Sequence, residues 1–398
     1  MVVLFWLSDF PKYSETFIRD QIIALIDKGH KILIFSEGGI NLEEMGALEG
    51  FEKYNLIDKV YSYQKLKPKN NLLYWIKTSF KVLLLKNKYI CNLLKLSFLE
   101  KKFKFKSHQL FLLDFIQKNK IEIIHTHFAT NAQKNIWTKI IHLPIKHIIT
   151  FHGFDIRLGL KHGKSFYKKI FDYTDKVIAI SSYNKGTLLQ LGLNSDKIVE
   201  INNGINTSFY KRETTYEIHR SIQMISVARL VEEKGLEYLI KSLHLAVKQH
   251  IISNNFNLNI IGDGPLKTEL TQLITQLNLS KNIQLLGAQN SVQVRKLLIS
   301  SDIYVLSSIA EALPTVLLEA QSCSLPILAT DVGDVKNMLA NAVIVAPKSE
   351  QTLLDGFKEI FNKQNQWKNM GEQGRKFVLK HFDTNSIVNE LDKLYRYK

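Results

Sequence analysis

Short apolar runs alternate along the chain with longer segments in which apolar residues recur every three or four positions. A continuous apolar run of four to eight residues predicts a strand buried on both faces, and the 3.6-residue period predicts an amphipathic helix. In the first half the runs are Val2–Leu7, Lys31–Phe35, Ile121–His125, His147–Phe151, Lys176–Ile180 and Lys197–Ile201. In the second half they are Ile222–Ala228, Asn257–Ile261, Ile283–Leu286, Ile303–Leu306, Pro326–Ala329 and Val343–Val345. Helical periodicity fills most of the gaps, as in Ile18–Lys28, Leu236–His250 and Leu266–Leu277. Strand–helix alternation without hairpin turns predicts an α/β fold whose parallel sheets are covered on both faces, with right-handed crossovers.

The pattern pauses at Asn202-Asn203-Gly204-Ile205-Asn206 and through the polar stretch Lys211–Arg220, then restarts at Ile222. At 398 residues the chain is about twice the ordinary size of a domain. The expected organisation is therefore two Rossmann-like doubly wound domains, residues 1–205 and 206–384, facing each other across a cleft. Sheets of this kind bind ligands beyond the carboxyl ends of their strands.

An apolar fraction of 45% and a charged fraction of 23% fit a soluble globular chain. The two cysteines, Cys91 and Cys323, are far apart and lack histidines at metal spacing, which points to a reducing compartment without a disulfide framework. Met1–Leu7 has no basic lead-in and reads as a buried first strand, not a signal peptide. No apolar run is long enough to span a bilayer, so a cytoplasmic protein is expected.

The net charge of +16 needs a partner or another reason, with nucleic acid, an anionic membrane and a phosphorylated substrate as the candidates, and it is concentrated. Between Lys65 and Lys106 twelve lysines face the single acid Glu100, interleaved with Leu72-Leu-Tyr-Trp-Ile76 and Phe80-Lys-Val-Leu-Leu-Leu85. Segment 65–106 fits basic amphipathic helices on the inner face of an anionic membrane, near a lipid-linked acceptor. It equally fits ordinary covering helices with lysine-rich outer faces.

The most informative chemistry lies in Ser307-Ser-Ile-Ala-Glu311-Ala-Leu313-Pro314-Thr315-Val-Leu-Leu-Glu319-Ala320, which follows a strand. Pro314 suits the first turn of a helix, where its missing N–H costs nothing. Thr315 and Glu319 are four apart, hence on one helix face and about 6 Å apart along the axis. Free N–H groups at this helix start can hold a diphosphate, with Leu313, Pro314 and Thr315 against it. Glu319 can then accept from both ribose hydroxyls, and Glu311 from hydroxyls of a sugar. Arg229 and Lys234 flank a strand-end loop in Ser226-Val-Ala-Arg229-Leu-Val-Glu-Glu-Lys234-Gly235, and such a pair can grip one polyanion from two sides. As that polyanion departs and its charge grows, the same contacts stabilise it. Gly262-Asp263-Gly264-Pro265 follows another strand, and its glycines allow close backbone approach, to a ligand or simply in a turn.

On the first-domain side, Ile149-Thr-Phe-His152-Gly-Phe-Asp155 places a histidine just after a strand, where it can contact a sugar or help to move an acceptor proton. His125 and His127 read as strand-end histidines bonded to a loop. Their HxH spacing has no carboxylate or cysteine beside it, and no metal site is assigned. Ser14 in Ser14-Glu-Thr-Phe17 fits the N-cap of the first helix, and its loop also faces the cleft.

Taken in order, Ser14-Glu-Thr-Phe17, His125-Thr-His-Phe128, Phe151-His-Gly-Phe-Asp155, Asn203-Gly204, Ala228-Arg229 with Lys234-Gly235, Gly262-Asp-Gly-Pro265 and Glu311-x7-Glu319 resemble glycosyltransferases of the retaining GT-B class, family 4 or group 1. Within that class the sequence is most similar to capsule, exopolysaccharide and colanic-acid-type transferases, over nearly its whole length. The resemblance implies a metal-independent hexosyltransferase without a cofactor, acting on a nucleotide-diphosphate sugar and a glycan or polyprenyl-phosphate-linked acceptor. It implies that Glu311 binds the donor sugar, Glu319 the ribose, and Arg229 with Lys234 the diphosphate. His152 would sit near sugar and acceptor, and the last helix, Asn385–Tyr397, would cross back onto the acceptor-side domain. The chain departs from the family pattern at Ala312, where a glycine commonly follows the first glutamate, and at Asn337, where an acid is common.

With no compelling covalent nucleophile in the sequence, same-face attack is expected, the leaving phosphate oxygen taking the acceptor's proton. Protein catalysis is then positioning and charge stabilisation. The rival readings are a nucleotide-sugar epimerase or phosphorylase of the same fold, a basic nucleic-acid-binding protein, and a membrane-bound scaffold without activity. Nucleic acid leaves the Glu311/Glu319 arrangement unexplained and is not favoured as a partner.

Overall fold

A computed structural model describes residues 1–12, 15–39, 51–68, 88–99 and 107–397. Ser14 and most of the lysine-rich segment 65–106 lie outside the described residues.

The described strands form two all-parallel sheets. The first has seven strands: β1 Val2–Leu7, β2 Lys31–Ser36, β3 Val60–Tyr61, β4 Ile123–His127, β5 Lys146–Phe151, β6 Lys176–Ala179 and β7 Ile198–Glu200, in the order β3-β2-β1-β4-β5-β6-β7. The second has six: β8 Ile222–Val227, β9 Phe256–Ile261, β10 Ile283–Leu285, β11 Ile303–Leu306, β12 Ile327–Thr330 and β13 Val343–Val345, in the order β10-β9-β8-β11-β12-β13. Both are doubly wound, as the alternation predicts. In each the strand order reverses once, between β1 and β4 and between β8 and β11, and that reversal opens a crevice at the carboxyl ends.

Apolar continuity explains the strands. In β1, Val3, Phe5 and Leu7 join one core cluster while Leu4 and Trp6 join the cluster on the opposite face. A strand buried on both sides needs apolar residues at every position, not every second one. Five helices carry or support the site: α1 Thr16–Asp27, α2 Gly153–His162, α3 Leu236–Lys248, α4 Thr315–Ser322 and α5 Thr384–Arg396.

α5 leaves the second sheet and packs on the first. Its Ile387, Val388, Leu391 and Tyr395 share a core with Ile18, Ile22 and Leu25 of α1. Asp383 caps it, accepting from Asn385 N–H at 2.9 Å. The outgoing and returning chain segments run side by side, with Ile205 N–H donating to Phe382 O at 2.9 Å and Thr384 N–H to Ile205 O at 3.0 Å. A Cβ on Gly204 would stand 2.8 Å from Thr384 Cα, so only glycine permits this double crossing.

Two expectations need correction. The fourth strand extends to His127 instead of ending at His125, which places His125 inside the sheet. Pro314 is the N-cap of α4, not a residue of its first turn.

Candidate functional site

A cleft of about 990 Å³ lies between the two sheets and is walled by both. On the second-domain side it is lined by Arg229, Lys234, Gly262, Glu311, Leu313, Pro314, Thr315 and Glu319, residues that sequence reasoning selected singly. Gly264 is not among the lining residues. A Cβ there would stand 2.5 Å from Leu230 O, so its small size serves the packing of the loop after β8, not the cleft.

Two loops build this wall, one after β8 and one after β11, on either side of the point where strand order reverses. They are fitted to each other through the backbone. Gly235, at φ 58°, precedes α3 in the left-handed region, and a Cβ on it would meet Ser307 O at 2.2 Å. Ser307 Oγ donates to Lys234 O at 2.9 Å, and Ile309 N–H donates to Glu233 O at 2.7 Å. Behind the second loop, Thr330 Oγ1 donates to Ser308 O at 2.6 Å. Lys234 and Glu311, 77 positions apart, therefore meet: Lys234 Nζ donates to Glu311 Oε1 at 2.5 Å, and Ser308 Oγ donates to the same oxygen at 2.7 Å. Sequence reasoning gave these two side chains separate partners, and in the structure they hold each other. Arg229 is exposed, and its side chain makes no hydrogen bond or ion pair among the described residues.

Glu319 projects from the second turn of α4, four residues past Thr315. Burial raises its pKa from 4.5 to about 8, against the opposing hydrogen bond from Tyr210, with Asp20 raising and Arg19 lowering it further. Tyr210, buried in the second domain's core, carried no sequence signal for this role. Nor did Arg19 and Asp20, which an amphipathic helix would ordinarily turn to solvent. Both are buried on α1, with Arg19 Nε 2.8 Å and Nη2 2.6 Å from Asp20 Oδ1. They bring charge of the first domain to bear on the carboxylate of the second.

The first-domain wall includes His152, Gly153, Phe154, Arg157, Lys12 and Phe17. His152 lies between β5 and α2, and its backbone N–H donates to Asp155 Oδ2 at 2.9 Å. Asp155 also accepts from Ala129 N–H at 3.0 Å, and burial raises its pKa to about 7. The His152 ring is 5% exposed, and burial lowers its pKa to about 3. Its Nε2 stands 3.1 Å from His127 Nδ1, and His127 Nε2 stands 3.0 Å from Gln21 Oε1 on α1. His127 does not itself line the cleft. His125 is buried beneath it, 2.6 Å from the Tyr395 hydroxyl of α5 and 2.8 Å from Thr150 Oγ1. His127 is the strand-end histidine expected, bonded to the loop residue His152 and also to α1, whereas His125 is an interior residue bonded to α5 and a neighbouring strand. Among the described residues no group of three His, Cys, Asp or Glu side chains is placed to hold a metal ion.

This arrangement can clamp an anion between Arg229, Lys234 and the start of α4, with acceptors for hydroxyl groups at Glu311 and Glu319 on either side. Comparison with known proteins is consistent with that chemistry. Residues 211–377 match the family model of glycosyl transferases group 1, and residues 94–209 match that of glycosyltransferase family 4. The amylovoran biosynthesis glycosyltransferase AmsK of Erwinia amylovora is 26% identical over 369 residues, covering 89% of each chain. A Salmonella typhimurium protein provisionally named as the colanic acid biosynthesis glycosyltransferase WcaL is 29% identical over 356 residues, covering 83% of this chain and 82% of its own. The crystal structure of Anabaena HepE in complex with UDP and glucose shares the fold at a TM-score of 0.68 and 15% identity, covering 98% of both chains.

Proposed function

The chain belongs to the group 1/family 4 glycosyltransferases of the GT-B fold, and from that premise we propose that it moves a hexose from a nucleotide-diphosphate sugar to a glycan or polyprenyl-phosphate-linked acceptor in surface polysaccharide biosynthesis. One observation carries the reading: Arg229, Lys234, Glu311 and Glu319 converge on one cleft at the carboxyl ends of β8 and β11. The transferase names of the relatives support it over an epimerase, a phosphorylase or a nucleic-acid-binding protein.

In this reading the diphosphate lies against the first turn of α4, where N–H groups without intrahelical partners point outward. Arg229 contributes a planar fork and Lys234 a point charge. Donor binding draws Lys234 from Glu311 to the phosphate, and Glu311 turns its freed oxygen to the hydroxyls of the transferred sugar. Glu319 accepts from the ribose hydroxyls. The bond between the anomeric carbon and the phosphate oxygen breaks, its electron pair passing to the phosphate. The acceptor oxygen bonds to the anomeric carbon on the same face, so configuration is retained, and the departing phosphate oxygen takes the acceptor's proton. The growing negative charge is met by Arg229, Lys234 and the helix N-terminus, which do not reorganise during the step. These two cations supply the charge that a metal ion would otherwise provide, so turnover should be indifferent to a chelator.

No helix among the described residues is long and apolar enough to cross a membrane. A cytoplasmic enzyme with segment 65–106 against anionic lipid remains part of the proposal, and salt-sensitive binding to anionic vesicles tests it. The reaction is tested by a thermal-shift screen against UDP-, GDP-, ADP- and CMP-linked sugars. A selective rise in melting temperature identifies the donor class. No shift with any nucleotide sugar would remove the basis of the proposal.

A further inference from the structure

His152 touches the cleft, but the proton on its ring is set from behind it. His127 is fully enclosed, its ring packed against Phe5 at 5.7 Å, His125 at 4.6 Å and Phe17 at 6.5 Å, with the His152 ring nearly coplanar and 5.3 Å away between centroids. Among the described residues the charges that bear on His127 are those of the other two histidines, with no carboxylate among them to support an imidazolium. Each ring is therefore neutral and carries one proton on one of two nitrogens. Both nitrogens of His127 have partners, so one must donate and the other accept. At Nε2 the partner is the carbonyl oxygen of Gln21, which can only accept. That places the His127 proton on Nε2 and leaves Nδ1 as a bare lone pair facing His152 Nε2. His152 must then carry its own proton on Nε2.

We infer that Gln21 and His127 are positioning residues which fix His152 in the Nε2-protonated form, so that its remaining ring nitrogen, Nδ1, can accept a hydrogen bond but never donate one. The chain runs in one direction, from His152 Nε2–H to His127 Nδ1 and from His127 Nε2–H to Gln21 Oε1. It ends on α1, the helix that also carries Arg19 and Asp20 toward Glu319. The assignment deepens the reading of His152 as a residue that faces sugar and acceptor, and it narrows it. His152 Nδ1 serves as an acceptor already, facing the backbone N–H of Asp155 in the reciprocal cap that opens α2. It cannot act as the acid that protonates the leaving group, in agreement with transfer of the acceptor's proton directly to phosphate.

Histidine-selective nitrogen-15 NMR of the free, full-length protein tests this without any substrate, because protonated and unprotonated ring nitrogens resonate far apart. The wild-type spectrum should show His127 and His152 both protonated at Nε2. In Gln21→Leu the His127 acceptor is lost, and both rings should move to mixed tautomers. Gln21→Glu keeps an acceptor oxygen in place and should hold the His127 proton on Nε2. UDP affinity, which belongs to the other wall, should be unchanged in both variants. A wild-type His152 protonated at Nδ1 would overturn the inference. So would a Gln21→Leu spectrum identical to wild type. If Gln21→Leu does not fold, the wild-type and Gln21→Glu spectra decide the direction of the chain by themselves. Failure of the nucleotide-sugar screen would leave these spectra unaffected, so the two claims fall separately.

Discussion

Gly153 and Ala312 meet across the cleft: a Cβ built on Gly153 would stand 2.7 Å from the Cβ of Ala312. One opens α2 of the first domain and the other belongs to the loop that carries Glu311. The family pattern commonly has glycine at the second position. The methyl group of Ala312, 6% exposed, fills that space here and makes the absence of a side chain at Gly153 essential. Gly153→Ala should therefore push the Glu311 loop away from α2. We expect a loss of about 1–3 kcal/mol, typical of overpacking, together with reduced turnover. Adding Ala312→Gly should recover both. A double-mutant cycle of melting temperature and turnover checks the pair, and simple additivity would mean that the two do not interact.

Glu311→Gln separates sugar recognition from nucleotide recognition. The amide weakens the hold of residue 311 on Lys234, now 2.5 Å away, so UDP binding should be unchanged or tighter. Turnover should fall by about 100-fold or more, the scale of losing one preorganised polar contact at a reacting centre. Steady-state kinetics beside UDP calorimetry distinguishes the two effects.

Glu319 should make both stability and binding depend on pH. Its folded pKa is raised from 4.5 to about 8, so the native state holds a proton that the unfolded chain releases between those values. The contribution of this group to stability therefore declines as pH rises from about 4.5 to 8. Glu319→Gln should flatten that part of the melting-temperature profile. Binding runs the other way, because ribose hydroxyls favour the ionised carboxylate. Affinity for UDP-glucose, whose diphosphate does not titrate in this window, should rise by up to about tenfold per pH unit below pH 8. In Glu319→Gln binding should be weaker and its pH dependence lost.

The contact between His125 and Tyr395 ties α5 to the first domain. Burial lowers the His125 pKa to about 3, so the ring is neutral and needs its hydroxyl partner. Tyr395→Phe leaves a ring nitrogen buried without that partner, at a cost of about 1–3 kcal/mol. Urea unfolding should show this loss, while UDP affinity stays at the wild-type value.

Much of the fold was legible because parallel strands buried on both faces are apolar at every position. Twelve strands stood out, several to the residue, as at Ile303–Leu306. β3 was missed because two residues, Val60–Tyr61, make no run. The end of β4 was placed two residues early because Thr126 and His127 break the apolar run, whereas both are buried and paired, Thr126 with Asn135 and His127 with Gln21 and His152. The second-domain wall of the cleft was legible because strand, loop, proline and helix occur in sequence order. The pairing of Lys234 with Glu311 was not, since it depends on Gly235 packing against Ser307. Arg19, Asp20 and Gln21 were also missed: on an isolated helix they are ordinary polar residues, and only the neighbouring lobe and strand give them their roles.

The central claim is that a basic pair and an acidic pair, far apart in the chain, act on one nucleotide-diphosphate sugar in this cleft. Calorimetric titration of the nucleotide that the donor screen selects, into the wild-type protein and into Arg229→Ala, tests it most directly, because the Arg229 side chain is exposed and supports no other part of the fold. The account predicts wild-type binding that weakens by about ten- to a hundred-fold on losing the guanidinium. Equal affinity in the two proteins would contradict it.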